Sequence, residues 1–176
     1  MTPRTIALLG VLTAWVAALG FVLSPVPNVE LMTLSTFLAG ALLGVSGGAL
    51  VGFLAMAIFS GLNPYGMAPP PVFVSQVIGL ACVGAVGGVV GLRSLPLSPV
   101  TVVAFGALGF VLTLFYDALT NVGTAVVMGA FRNPWPVLAA GLAFSIWHMV
   151  FNALFFAIGA PPILALIRRR RARLLS

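Results

Sequence analysis

Few side chains in this sequence can do polar chemistry, and most of them fall into spaced pairs. Asp117 is a carboxylate set inside a long apolar run, with Asn121 four residues on. On a helix that spacing puts both on one face. His148 and Asn152 repeat it in a later apolar run. An acid inside a membrane span is costly, and it usually serves a ligand or a bundle contact. Glu30 lies at the start of another apolar run, where an acid either supports the helix dipole or takes part in a site. Gln76 begins a fourth. His148 with Asn152 reads either as a substrate contact or as an interhelical hydrogen bond. Asn63 and Tyr65 stand in Asn-Pro-Tyr-Gly, which is ordinary turn chemistry and could also form a lid. Trp147 could stack on a flat ring, whereas Trp135 reads as an interfacial anchor and Arg132 as a solvated charge. Cys82 reads as a small buried apolar residue. Together the candidate substrate-binding residues are Glu30, Asn63, Tyr65, Gln76, Asp117, Asn121, Trp147, His148 and Asn152.

The elements that must position these groups are membrane helices. Of 176 residues, 61% are hydrophobic and 6% charged, and the mean hydropathy is +1.22. Soluble domains carry about 25% charged residues, so this chain could not cover a water-facing surface. The expectation is an all-α membrane protein. It is a single transmembrane domain, 1–176, with spans over about 5–23, 30–44, 47–62, 72–92, 99–127 and 136–159, and a basic tail over 167–176. That length leaves no space for an ATPase. Cys82 alone permits neither an internal disulfide nor a cysteine zinc cluster, and no metal or cofactor is expected.

The stretch from Pro27 to Pro71 is the organising segment. It has no charge between Glu30 and Asn63, and glycines recur at 40, 44, 48 and 52. Glycines four apart flatten one helix face for close approach. The hinge around Gly44 divides this strip into two short faces. Pro25 and Pro27 end the first helix, Ser98-Pro99 starts the fifth, and Pro161-Pro162 is expected to break the sixth.

Six crossings with both termini cytoplasmic put Arg4, Arg93 and the five arginines from Arg168 to Arg173 inside, and only Arg132 outside, as the positive-inside rule requires. The arginine run is then a membrane anchor, with no nucleic-acid partner. The polar candidates gather towards the outer face, above an apolar, small-residue inner half. This arrangement suits capture of an external solute at the cell (inner) membrane.

No motif carries enzymatic chemistry. Phe144, His148 and Asn152 match fragments of the CAAX-type intramembrane protease pattern, which also needs paired acids and a second histidine. A small intramembrane hydrolase of that kind, or a membrane assembly or scaffold protein, is the alternative to solute capture.

The Pro-Asn-Val-Glu start of the second helix, the glycine hairpin and the Asn-Pro-Tyr-Gly loop resemble those of substrate-binding S components of energy-coupling factor (ECF) vitamin transporters. The resemblance implies a vitamin or related micronutrient held near the outer face. It also implies a membrane coupling protein and two cytosolic ATPases as partners, and a body that topples in the membrane lipid. It implies that Ala14 and Ala18, an Ala-x-x-x-Ala pair on the first helix, meet the coupling protein. On the residues themselves, that pair could equally serve packing within the bundle. An aromatic cup with an acid and several amides suits a neutral or cationic heteroaromatic compound.

Overall fold

The computed structural model describes residues 2–91, 97–130 and 132–175, and not the side chains of 143 and 171–175. Arg93 and Pro96 lie outside the described residues, as do the side chains of Arg171 and Arg173. The described chain forms α1 (Pro3–Leu23), α2 (Met32–Leu43), α3 (Val45–Gly61), α4 (Pro70–Val90), α5 (Pro99–Val127) and α6 (Trp135–Leu175), with no strand among the described residues.

Local chemistry sets several of these ends. The Thr2 hydroxyl accepts from the Thr5 N–H at 3.2 Å, just ahead of Pro3. Ser98 does the same for Thr101 at 3.2 Å, just ahead of Pro99. In both cases a side-chain oxygen satisfies one of the orphan donors of the first turn, and proline occupies a position that needs no donor. Gly44 separates α2 from α3 at φ +85° and ψ 178°, a region essentially reserved for glycine, where a side-chain-bearing residue would cost on the order of 1–3 kcal/mol.

α1, α4, α5 and the Phe144–Arg170 part of α6 are each long and apolar enough to cross a membrane. α2 and α3 have 12 and 17 residues. At about 1.5 Å per residue both fall short of a hydrocarbon layer about 30 Å thick. Burial explains how α2 tolerates being short. It touches α1, α3, α4 and α6, and nine of its twelve residues are buried. Its Phe37 is fully buried, with ring centres 6.1 Å from Phe105 on α5 and 5.2 Å from Phe156 on α6.

The glycines bring α2, α3 and α4 together backbone against backbone. A Cβ at Gly40 or Gly48 would collide with the Gly84 carbonyl, and one at Gly52 with the Leu80 carbonyl. The two short glycine faces on either side of Gly44 therefore converge on one partner helix, α4. Such an approach is open only to residues without side chains, and it replaces side-chain interdigitation with dense main-chain contact.

One expectation fails here. Pro161-Pro162 does not break the last helix, which runs unbroken from Trp135 to Leu175. Each proline forfeits one backbone donor, leaving the carbonyls of Ala157 and Ile158 without their usual partner, but a fixed φ near −65° is itself helical. Burial of Phe156, Ala160 and Leu164 on both sides of the pair holds the helix in place.

Candidate binding site

The chain enters the site through an unusual turn. Asn28 sits at φ +61°, a region asparagine tolerates better than most residues. The turn brings Glu30 in just ahead of α2. There its Oε2 accepts from the Thr33 N–H at 2.9 Å, in the manner of a first-turn cap. Its Oε1 accepts from Asn152 Nδ2 at 2.8 Å and faces His148 Nε2 at 3.4 Å. The other ring nitrogen, His148 Nδ1, lies 2.8 Å from Asp117 Oδ1. One imidazole thus bridges two carboxylates from different parts of the fold, and ties the α1–α2 loop to α5 through α6. A neutral imidazole has one N–H donor, and an ionised carboxylate only accepts. Contacts at both nitrogens therefore require one more proton within the trio, on the ring or on a carboxyl.

The three side chains are only partly shielded, at 12% exposure for His148, 12% for Asp117 and 21% for Glu30. What exposes them is a pair of adjoining cavities. The first, about 340 Å³, is walled by Glu30, Gln76, Tyr116 and His148 together with the apolar Met56 and Phe59. Asn63 and Tyr65 lie at its rim, so the α1–α2 and α3–α4 loops meet at the same end of the bundle. The second, about 500 Å³, is walled by Asp117, Thr120, Asn121, Gly141 and Ser145. Asn28, Gln76, Tyr116, Phe144 and His148 line both, forming the partition between them. These volumes fall in the range of about 300–1,000 Å³ typical of small-molecule sites.

Several polar atoms remain available to a ligand. The Tyr116 hydroxyl has only a weak contact with Met56 Sδ, at 3.8 Å, and its ring meets His148 edge-on at 6.2 Å. Gln76 uses its carbonyl oxygen to accept from the Ser60 hydroxyl at 2.7 Å, which leaves its NH2 group to the cavity. Asp117 Oδ2, by contrast, is closed off from the cavities and has no hydrogen-bond partner among the described residues.

Of the nine candidates, the structure brings Glu30, Asn63, Tyr65, Gln76, Asp117, Asn121 and His148 to the cavity walls. Asn152 is fully buried behind Glu30 and holds it. Trp147 is 61% exposed on the outside of α6 and lines neither cavity. Asn63 Oδ1 accepts from the Tyr65 N–H at 2.9 Å, which sets the turn that carries Tyr65. Sequence reasoning passed over Tyr116, although it adjoins Asp117, because a tyrosine in an apolar helix is ordinary. It also passed over Ser60 and Met56, which nothing in the local pattern distinguishes.

A scan against protein families matches residues 1–169 to the family described as ECF-type riboflavin transporter, S component. The chain belongs to that family. It is a multi-pass membrane protein of vitamin uptake, the substrate-binding subunit of an ECF transporter. The family is a transporter component rather than an enzyme family, and S components bind small vitamins and partner with an ECF module. Neither the curated proteins nor the solved structures contain a match to this chain.

Proposed function

We propose that this chain captures riboflavin in the paired cavities beneath the α1–α2 and α3–α4 loops, for ATP-driven uptake with a membrane coupling protein and two cytosolic ATPases. The observation that carries the reading is the Glu30–His148–Asp117 bridge standing in the wall of an aromatic-lined hollow. A neutral, planar ring with donors and acceptors along one edge falls within the neutral or cationic heteroaromatic class that the residue types suit. The family match supports a flavin within that class. Tyr116 and Gln76 offer hydrogen bonds to the ring edge, and Phe59 and Met56 offer apolar surface to its face.

In this reading six spans cross the membrane with both termini inside, and the cavities open outwards. Ala14 and Ala18 are exposed on α1, free of the bundle and available to the coupling protein. Arg169 and Arg170 extend α6 as exposed charges on the cytoplasmic side.

Titrating the purified chain into riboflavin tests the proposal, because the free ring fluoresces and a ring stacked on aromatic side chains is quenched. Saturable quenching with a Kd below about 1 μM is expected. No quenching at protein concentrations in the tens of micromolar range, on the order of −6 kcal/mol of affinity, would remove riboflavin as the ligand.

A further inference from the structure

The α3–α4 connection sets two amides at the first cavity, and a hydrogen bond inside the protein turns each of them the same way. Asn63 Oδ1 accepts from the Tyr65 N–H at 2.9 Å. A backbone N–H only donates, so this contact takes the amide oxygen and leaves the NH2 group over. Gln76 stands in the second turn of α4 and lines both cavities. Its Oε1 accepts at 2.7 Å from the hydroxyl of Ser60, in the last turn of α3. Ser60 is 3% exposed and lines neither cavity. Its hydroxyl has no other acceptor among the described residues. Were the Gln76 amide turned over, its NH2 group would face that hydroxyl, and a buried proton would be left without an acceptor. Such a loss is costly, so Ser60 decides which way the amide faces.

We infer that Ser60 is a positioning residue for ligand selection. It holds Gln76 with the NH2 group towards the cavity, so that the α3–α4 connection takes an edge of the ligand that carries carbonyl acceptors. This step rests on the flavin reading above: a flavin ring has carbonyl groups at one end and only methyl groups at the other. Glu30, in the same wall, already has both oxygens engaged, by the Thr33 N–H and by Asn152 Nδ2. The hydrogen-bonding sense of this side of the cavity is therefore set by the amides. With both NH2 groups outward, Asn63 and Gln76 match carbonyl oxygens. A reversed Gln76 would set oxygen against oxygen, which costs more than one missing hydrogen bond because the facing acceptors are desolvated without partners.

The test uses the full-length purified chain with riboflavin as the probe. Quenching reads affinity, and infrared difference spectra read the carbonyl stretches of the bound ring, which move to higher frequency when a hydrogen bond is lost. Ser60→Ala should weaken riboflavin about tenfold and raise a ring carbonyl frequency, and Ser60→Thr, which keeps the hydroxyl, should restore both. Gln76→Met removes the amide at similar length and should also weaken riboflavin about tenfold. Ser60→Ala should then add nothing in the Gln76→Met background, because the serine acts through the amide. Losses that multiply would give Ser60 a packing role instead, and would overturn the inference while leaving the flavin reading intact. So would a Ser60→Ala chain whose bound ring keeps the wild-type frequencies. If Ser60→Ala does not fold, Gln76→Glu decides the matter. It keeps an acceptor for Ser60 but turns an oxygen to the cavity, so it should bind riboflavin about tenfold more weakly than Gln76→Met does. Equal affinity of those two variants would overturn the inference. If wild type itself does not quench riboflavin, the flavin reading fails and takes this role of Ser60 with it.

Discussion

The α2–α3–α4 slab and the hollow beneath the loops are built by opposite means. In the slab, close packing comes from what is missing. Gly40, Gly48 and Gly84 bring three backbones together where any Cβ would collide. In the hollow, position comes from charge. One imidazole holds two acids that come from segments distant in the chain. The slab can be damaged only by adding atoms, and the hollow only by removing or neutralising them. A binding subunit needs both. Its cavity must stay open and polar inside lipid, which is possible only if a neighbouring region is packed rigidly enough to resist collapse.

Adding atoms to the slab should have the largest effect. Gly84→Val places a branched side chain against the Gly48 backbone, which cannot rotate away. A loss of about 3 kcal/mol or more is expected, with the chain failing to purify as a monodisperse species. The matched control is Gly10→Val on α1. A Cβ there meets nothing within 4 Å, so the change should stay within about 0.5 kcal/mol by thermal unfolding in detergent. If both variants behave alike, the slab is not the packed half of the comparison.

Removing atoms from the hollow comes next. His148→Ala strands Glu30 and Asp117 facing one another without their bridge. Breaking a buried charge pair costs about 3–5 kcal/mol. Because these side chains line an open cavity, about 2 kcal/mol is expected here, with riboflavin affinity falling by about a hundredfold. The second substitution distinguishes charge from shape. Adding Asp117→Asn to His148→Ala removes one stranded acid and should recover part of the stability, although not the affinity. If the double variant is less stable than His148→Ala alone, the bridge does not act through charge.

These two regions were not equally legible in the sequence. The glycine repeat over 40–52 announced close packing, since helical spacing of small residues is a local signal. What it could not announce was the partner. That Gly40 and Gly48 both meet Gly84 depends on the reversal at Gly44, which folds two faces onto one helix. The hollow followed the same rule. Asp117 with Asn121, and His148 with Asn152, were visible as pairs because four residues make about one turn. That Glu30 lies between His148 and Asn152 was not visible, because a contact across 118 positions has no local trace. Proline misled in one place. Pro161-Pro162 has the local chemistry of a stop, and tertiary burial of Ala160 and Leu164 overrides it.

The smallest effect should belong to Trp147, and it sharpens the comparison by marking where the hollow ends. By composition a tryptophan one residue before His148 is the obvious stacking partner for a planar ring. Successive positions on a helix differ by about 100°, however, so a residue adjacent to an inward one is turned well away from it. With His148 facing inwards to Asp117 and Glu30, Trp147 is directed outwards, and it is 61% exposed on the far side of α6. Its ring centre lies 6.2 Å from that of Phe151, one turn further along the same outer surface. Trp147→Ala should therefore leave riboflavin affinity within about twofold of wild type and stability within about 0.5 kcal/mol. Tyr116→Phe removes only a hydroxyl that the protein leaves weakly engaged, and it should weaken binding more than loss of the whole indole does. A larger loss of affinity from Trp147→Ala than from Tyr116→Phe would mean that the ring binds against the outer face of α6, and that the cavities are not its seat.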